Sequence, residues 1–127
     1  MATYSGAIMD SIEIADRLGI APGRLHYWIA KGHITSRADW DADSAVALLL
    51  AHDLENAGIP ASVIRHATDA APNGKPDDAI VVEIHGALRD AMFRVRFLSN
   101  GGQPSDDCTS IMTPIASLRS RVAAAMK

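Results

Sequence analysis

Apolar positions recur at helical spacing through the first seventy residues and at strand spacing beyond them. Ile12, Ala15 and Leu18 fall at i, i+3 and i+6. Ser11 suits the N-cap and Glu13 suits the positive end of a helix dipole, so a helix is predicted over Ser11–Leu18 with Gly19 just past its end. Pro22 fits a first helical position, where its missing N–H costs nothing. Leu25, Trp28 and Ile29 then form the apolar stripe of a second helix that Gly32 ends. From Ile34 to Ala42 there is no helical period and one large apolar residue, Trp40, which predicts a short irregular strand. A third helix is expected from Ala42 to Ala57, capped by Asp41, stopped by Gly58 and burying Ala45, Leu48 and Leu49. A fourth follows from Pro60 to Thr68 with Val63, Ile64 and Ala67 as its inner side.

Residues 71–78, APNGKPDD, are turn-formers and charges and read as a linker. After it the period becomes two. Ile80, Val82 and Ile84 alternate with Val81, Glu83 and His85, and Phe93, Val95 and Phe97 alternate with Arg94 and Arg96. Two half-buried strands joined by a loop containing Gly86 are predicted. If they are antiparallel, Glu83 can pair with Arg94 or Arg96 across the outer face, contributing on the order of 0.2–1 kcal/mol. Asn100 to Pro104 form a second turn region and Thr109 to Met112 a short third strand. Thr113 and Pro114 open a last helix to about Met126, with the stripe Ile115, Leu118, Val122 and Met126, and with Arg119 and Arg121 turned mostly away from it. The expected fold class is mainly α with a small β component. The expected division is a helical unit over 1–70, a linker over 71–78 and a strand-strand-helix unit over 79–127.

Composition narrows the chemistry. With 127 residues, 48% hydrophobic and 21% charged, the chain has the make-up of one globular domain, or of one small domain with an appendage. The single cysteine, Cys108, rules out an intrachain disulfide and a multi-cysteine zinc finger, and reads as a small, buried or half-buried thiol. The five histidines, 26, 33, 52, 66 and 85, show neither HxxxH nor HExxH spacing, so no metal or cofactor is expected. No Gly-rich phosphate loop and no Ser/His/Asp grouping stands out, and the expectation is a protein that is not an enzyme. The pairs Asp77-Asp78 and Asp106-Asp107 read as solvated loop charge, and Trp28 and Trp40 as core anchors. The longest apolar run, Ala45 to Ala51, is too short to cross a bilayer, and no secretory signal is visible; a soluble, cytoplasmic protein is expected.

Two short helices joined by a Gly-containing turn make the helix-turn-helix pattern. Four phrases in order extend the likeness. They are SIEIADRLGI (11–20), APGRLHYW (21–28), KGHI (31–34) and AGIPASVIR (57–65). Over residues 4–67 the chain resembles the DNA-binding domain of the MerR family, within the winged helix-turn-helix and excisionase-like group. It departs from the family in having Ala21 where Ser usually precedes the proline, His26 where the family has Arg, a short wing, and no long dimerising helix. The resemblance implies a winged helix-turn-helix whose second helix, about 22–31, enters the major groove.

Such a helix needs donors for bases and phosphates on one exposed face. Arg24, Tyr27 and Lys31 share that face and His26 flanks it. Arg24 is the expected base contact. The helix N-terminus at Pro22-Gly23-Arg24 offers free N–H groups for a phosphate. Lys31, His33 and Arg37 are expected to grip the backbone. Charge opposes this reading, because residues 1–70 carry five cations against nine acids. The stretch from Arg24 to Arg37, however, is free of acids. The C-terminal unit is slightly basic, with seven cations against six acids, which allows a supplementary DNA contact. The resulting expectation is a MerR-like regulator of transcription bound to double-stranded DNA as a homodimer, with the C-terminal unit dimerising, packing on the first half, or docking a protein partner. The alternatives are an excisionase-like DNA-bending accessory factor and a protein-interaction module that has lost DNA binding.

Overall fold

In the computed structural model of the chain, which describes residues 9–86, 91–99, 102–104, 106 and 108–126, Asp10 rather than Ser11 caps the first helix. Its carboxylate accepts from the Glu13 N–H at 2.8 Å, and Ser11 becomes the first residue of α1 (Ser11–Leu18). Ile14 and Ala15 are buried, while Ile12, placed on the apolar stripe by its spacing, faces solvent. Gly19 closes α1 with φ +73°, and the chain enters α2 (Pro22–Lys31) at once. Ala21 provides no side-chain cap, and Gly32 ends the helix at φ +81°.

The segment expected to form a wing makes a single bridge among the described residues. Met9 and Trp40 exchange both backbone hydrogen bonds at 2.8 Å. Asp41 then starts α3 (Ala42–Asn56) with a reciprocal capping box, its carboxylate taking the Ser44 N–H and the Ser44 hydroxyl accepting from the Asp41 N–H. The carboxyl of Asp41 is held below the usual aspartate range, first by that backbone hydrogen bond. Helix α3 is buried on nearly every side, as a helix apolar all round must be. It is the axis of the molecule, with α4 (Ala61–Ala70) and α5 (Ile115–Ala125) packed on it.

The stretch expected to be a linker is built into the core. A 3₁₀ turn at Ala71–Asn73 buries Ala71 against α3 and α4. Gly74 passes so close to Ile115 and Phe97 that a Cβ there would lie 2.7 Å from Ile115 Cγ1. The Asp78 carbonyl accepts from the Ile115 N–H at 2.9 Å, pinning the start of α5.

Three antiparallel strands follow: β1 (Ala79–His85), β2 (Met92–Leu98) and β3 (Thr109–Pro114), in the order β2-β1-β3. The fold is mainly α with a small β component. On the inner face Ile80 and Val82 join the core of the helices, with Ile84, Phe93, Val95 and Ile111 packed against it. The stripe of α5, Ile115, Leu118, Val122 and Met126, belongs to the same core. On the described residues, then, the helical and the β-containing parts share one continuous interior. Arg119 and Arg121 strap α5 to α3 through Asp43 at 3.0 Å and Asp53 at 2.7 Å.

The outer face differs from the alternating pattern. Val81 and Glu83 are fully buried, and the carboxylate of Glu83 pairs with Arg96 at 2.9 Å. The register sets Glu83 directly opposite Arg94, so the pair that forms is the diagonal one. Arg96 also reaches the Gln103 carbonyl at 3.5 Å, which sets the segment after β2 beside this face. The Asn100-Gly101 turn and Asp107 lie outside the described residues. Among the described residues no helix is long and apolar enough to cross a membrane.

Candidate nucleic-acid interface

The α1–turn–α2 unit is held from below. Leu25 and Trp28 are buried in the shared core, and Ile29 packs against it. That fixes the opposite side of α2 outward: Pro22, Gly23, Arg24, His26, Tyr27, Ala30 and Lys31 are all exposed. The i, i+3, i+7 grouping of Arg24, Tyr27 and Lys31 on one face follows from the helix geometry. Neither α2 nor the chain around it, from Arg17 to Ala38, contains an acid.

Two of the expected site residues carry a constraint. Arg24 Nη2 lies 2.5 Å from Glu55 Oε1, near the end of α3. The same guanidinium stands over the Tyr27 ring, 5.9 Å from its centre. The leading cation of the helix is therefore matched by a carboxylate from a neighbouring helix, which no pattern within α2 could show. Arg37 is exposed. Its Nε donates to the Asp39 carbonyl at 3.1 Å, and its guanidinium lies 5.7 Å from the Trp40 ring centre. These contacts stand it up beside the 34–40 segment with its charge unneutralised by any carboxylate within bonding distance among the described residues.

His33 is placed differently from the surface position expected of it. It is 7% exposed, tucked beneath Tyr27 at a ring separation of 5.7 Å, with Nε2 3.7 Å from Glu55. Its carbonyl accepts from the Thr68 hydroxyl at 3.2 Å, tying the end of α2 to α4. His33 is thus a packing residue. The reason is local: Gly32 turns the chain inward, and the residue after it falls into the gap between α2, α3 and α4.

Lys31 makes no ion pair among the described residues and projects from the last turn of α2. Of the other cations, Arg65 pairs with Asp69 within α4 at 3.5 Å, and Arg119 and Arg121 are spent on α3. Asp53 holds the Arg121 guanidinium more firmly protonated than usual, through its hydrogen bonds first. The basic residues of α5 are therefore engaged in structure. Sequence reading missed Glu55 altogether. Its signal is visible only once α3 and α2 are known to pack side by side. Compared with protein-family models and with curated proteins, the chain matches none.

Proposed function

We propose that the protein is a sequence-reading, double-stranded-DNA-binding regulator of transcription, with α2 lying in the major groove. The observation that supports this reading is the exposed, acid-free face of α2, seated on α1 through the Gly19 turn. Lys31 and Arg37 supply phosphate contacts, and the Gly23 N–H offers one more at the positive end of the helix, Pro22 having none and that of Arg24 donating to the Ala21 carbonyl at 2.8 Å. His26 and Tyr27 reach toward base edges. Arg24 is the guanine reader, and it must leave Glu55 to do so. An exposed pair of this kind is worth roughly 0–1 kcal/mol, so the exchange is inexpensive. His33 takes no part, being buried.

The reading includes a two-fold homodimer, as helix-turn-helix readers of palindromes need. The stripe of α5 is committed to the core, so the surface left for pairing is an edge of the sheet, β2 or β3. An antiparallel edge meets its own copy by symmetry. A protein-docking role in place of DNA binding is favoured by one observation, the neutralisation of Arg24 by Glu55 in a half that carries a net negative charge.

Polarisation of labelled genomic DNA fragments, titrated at low and moderate salt, tests the DNA reading. Lys31→Ala is expected to weaken binding about equally on all fragments and to lower the salt slope by about one. Glu55→Gln is expected to tighten binding, because a carboxylate beside the phosphates is gone and Arg24 is released. If Lys31→Ala and Tyr27→Ala both bind as the parent does, α2 is not the probe. Sedimentation of the full chain addresses the dimer, and a monomer at tens of micromolar removes it.

A further inference from the structure

Glu83, His85 and Cys108 meet on the outer face of the sheet, where nothing in the DNA-binding reading uses them. Glu83 and His85 are two apart on β1 and so share a face. The β1–β3 register sets Ile84 opposite Thr109, and one further step puts Cys108 beside His85. One potential ligand atom from each of the three lies within 4.8 Å of the other two. Glu83 Oε1 is 3.7 Å from His85 Nε2. Two ligands at about 2.0–2.1 Å from a tetrahedral ion stand roughly 3.3 Å apart, so this pair needs only a small closure.

We propose that these three side chains form a binding site for a divalent transition-metal ion of the zinc class. The donor set is one carboxylate oxygen, one imidazole nitrogen and one thiolate. Nitrogen and sulfur donors select borderline-soft ions over magnesium and calcium. As the metal–sulfur bond forms, the thiol proton of Cys108 leaves to solvent. The carboxylate and the thiolate then set two negative charges against the ion's two positive ones, and with the Arg96 guanidinium the occupied site carries one net positive charge. Arg96 holds Glu83 Oε2 at 2.9 Å and orients the carboxylate with Oε1 toward His85, the arrangement in which an outer partner aims a ligand. The Arg96 guanidinium is in turn kept more firmly protonated, first by its hydrogen bond to Glu83. Glu83 is fixed by burial, while His85 is about one-third exposed, which gives the ion a path in and leaves a fourth position for water. The three donors converge on one point. A thiol–imidazole–carboxylate relay would instead string them in a line with the imidazole between the other two. The inference stands independently of the DNA-binding reading.

Cobalt(II) added to the chelator-stripped full chain tests it. One ion per chain is expected, with a thiolate-to-cobalt charge-transfer band in the near ultraviolet that zinc displaces. Zinc alone is expected to raise the melting temperature and to protect Cys108 from alkylation by iodoacetamide. Cys108→Ser is expected to abolish the band, and His85→Ala to weaken cobalt binding at least about tenfold, both with the parent's far-ultraviolet circular dichroism. The alkylation assay uses the parent chain alone and so decides the matter even if a variant misfolds. The site is overturned by absence of the thiolate band in excess cobalt, by alkylation at the same rate with and without zinc, or by unchanged affinity in His85→Ala.

Discussion

Arg24–Glu55 and Arg96–Glu83 join the same two residue types at similar distances, 2.5 Å and 2.9 Å. They differ in what surrounds them. Arg24 is about half exposed and Glu55 about one-fifth, whereas Glu83 has no contact with solvent. The shorter pair is the weaker one. Water competes for both partners of the first, and losing one leaves the other hydrated. Losing Arg96 would leave a carboxylate buried within a sheet. Separation alone therefore does not rank ion pairs. The proposed DNA contact needs a pair free to exchange its carboxylate for a phosphate, which the exposed pair is, and the proposed metal site needs a fixed one, which the buried pair is.

The comparison can be broken most sharply at Arg96. Arg96→Gln removes the cation that answers the buried Glu83 carboxylate, and a fall in melting temperature on the order of 10 °C is expected by calorimetry. A variant as stable as the parent would make the two pairs equivalent. Gly74→Ala asks whether the two halves of the chain depend on each other as the shared core implies. Its backbone, at φ −70°, suits any residue, so the cost is purely the new Cβ, 2.7 Å and 2.9 Å from Ile115 and 3.0 Å from Phe97. A loss of about 2 kcal/mol in urea denaturation is expected. Asp41→Ala calibrates a carboxylate whose hydrogen-bond partners are uncharged, and should cost about 1 kcal/mol at neutral pH. Because the folded Asp41 carboxyl lies below its ordinary range, that contribution is present above the range and lost as pH falls through the folded value. The gap between parent and variant should accordingly close in acid. Glu55→Gln is the smallest, with a stability change within about 0.5 kcal/mol in the same assay.

Helix boundaries were legible because their signals are local. Gly19 and Gly32 take the left-handed conformation that glycine allows, and Asp41 caps α3 as its side chain predicts. At α1 two good caps stand side by side, Asp10 and Ser11, and it is the Asp10 carboxylate that takes the Glu13 N–H. Residues 71–78 carry the composition of a linker, yet Gly74 is there because Ile115 leaves no room for a side chain. A glycine chosen for closeness and one chosen for a turn look alike in sequence. The alternation in β1 gave the inner face correctly and misjudged the outer one. Glu83 marks a solvated position in a two-layer sheet, and its burial rests on long-range neighbours, Arg96 among them. The face of α2 was likewise readable from spacing, while the Glu55 partner of Arg24 and the burial of His33 came from helix packing that spacing does not encode.

The dependence of α3 on α5 has a consequence for how the chain acquires its shape. Leu118 and Val122 cover a helix synthesised some sixty or seventy residues earlier, and the intervening sheet must form for the cover to arrive. Closing so long a loop is slow relative to winding the helices themselves. The pair α1–α2 is thus no portable cassette that matures on the ribosome as it emerges. Until the C-terminal helix docks, the nascent protein carries an oily rod in search of shelter.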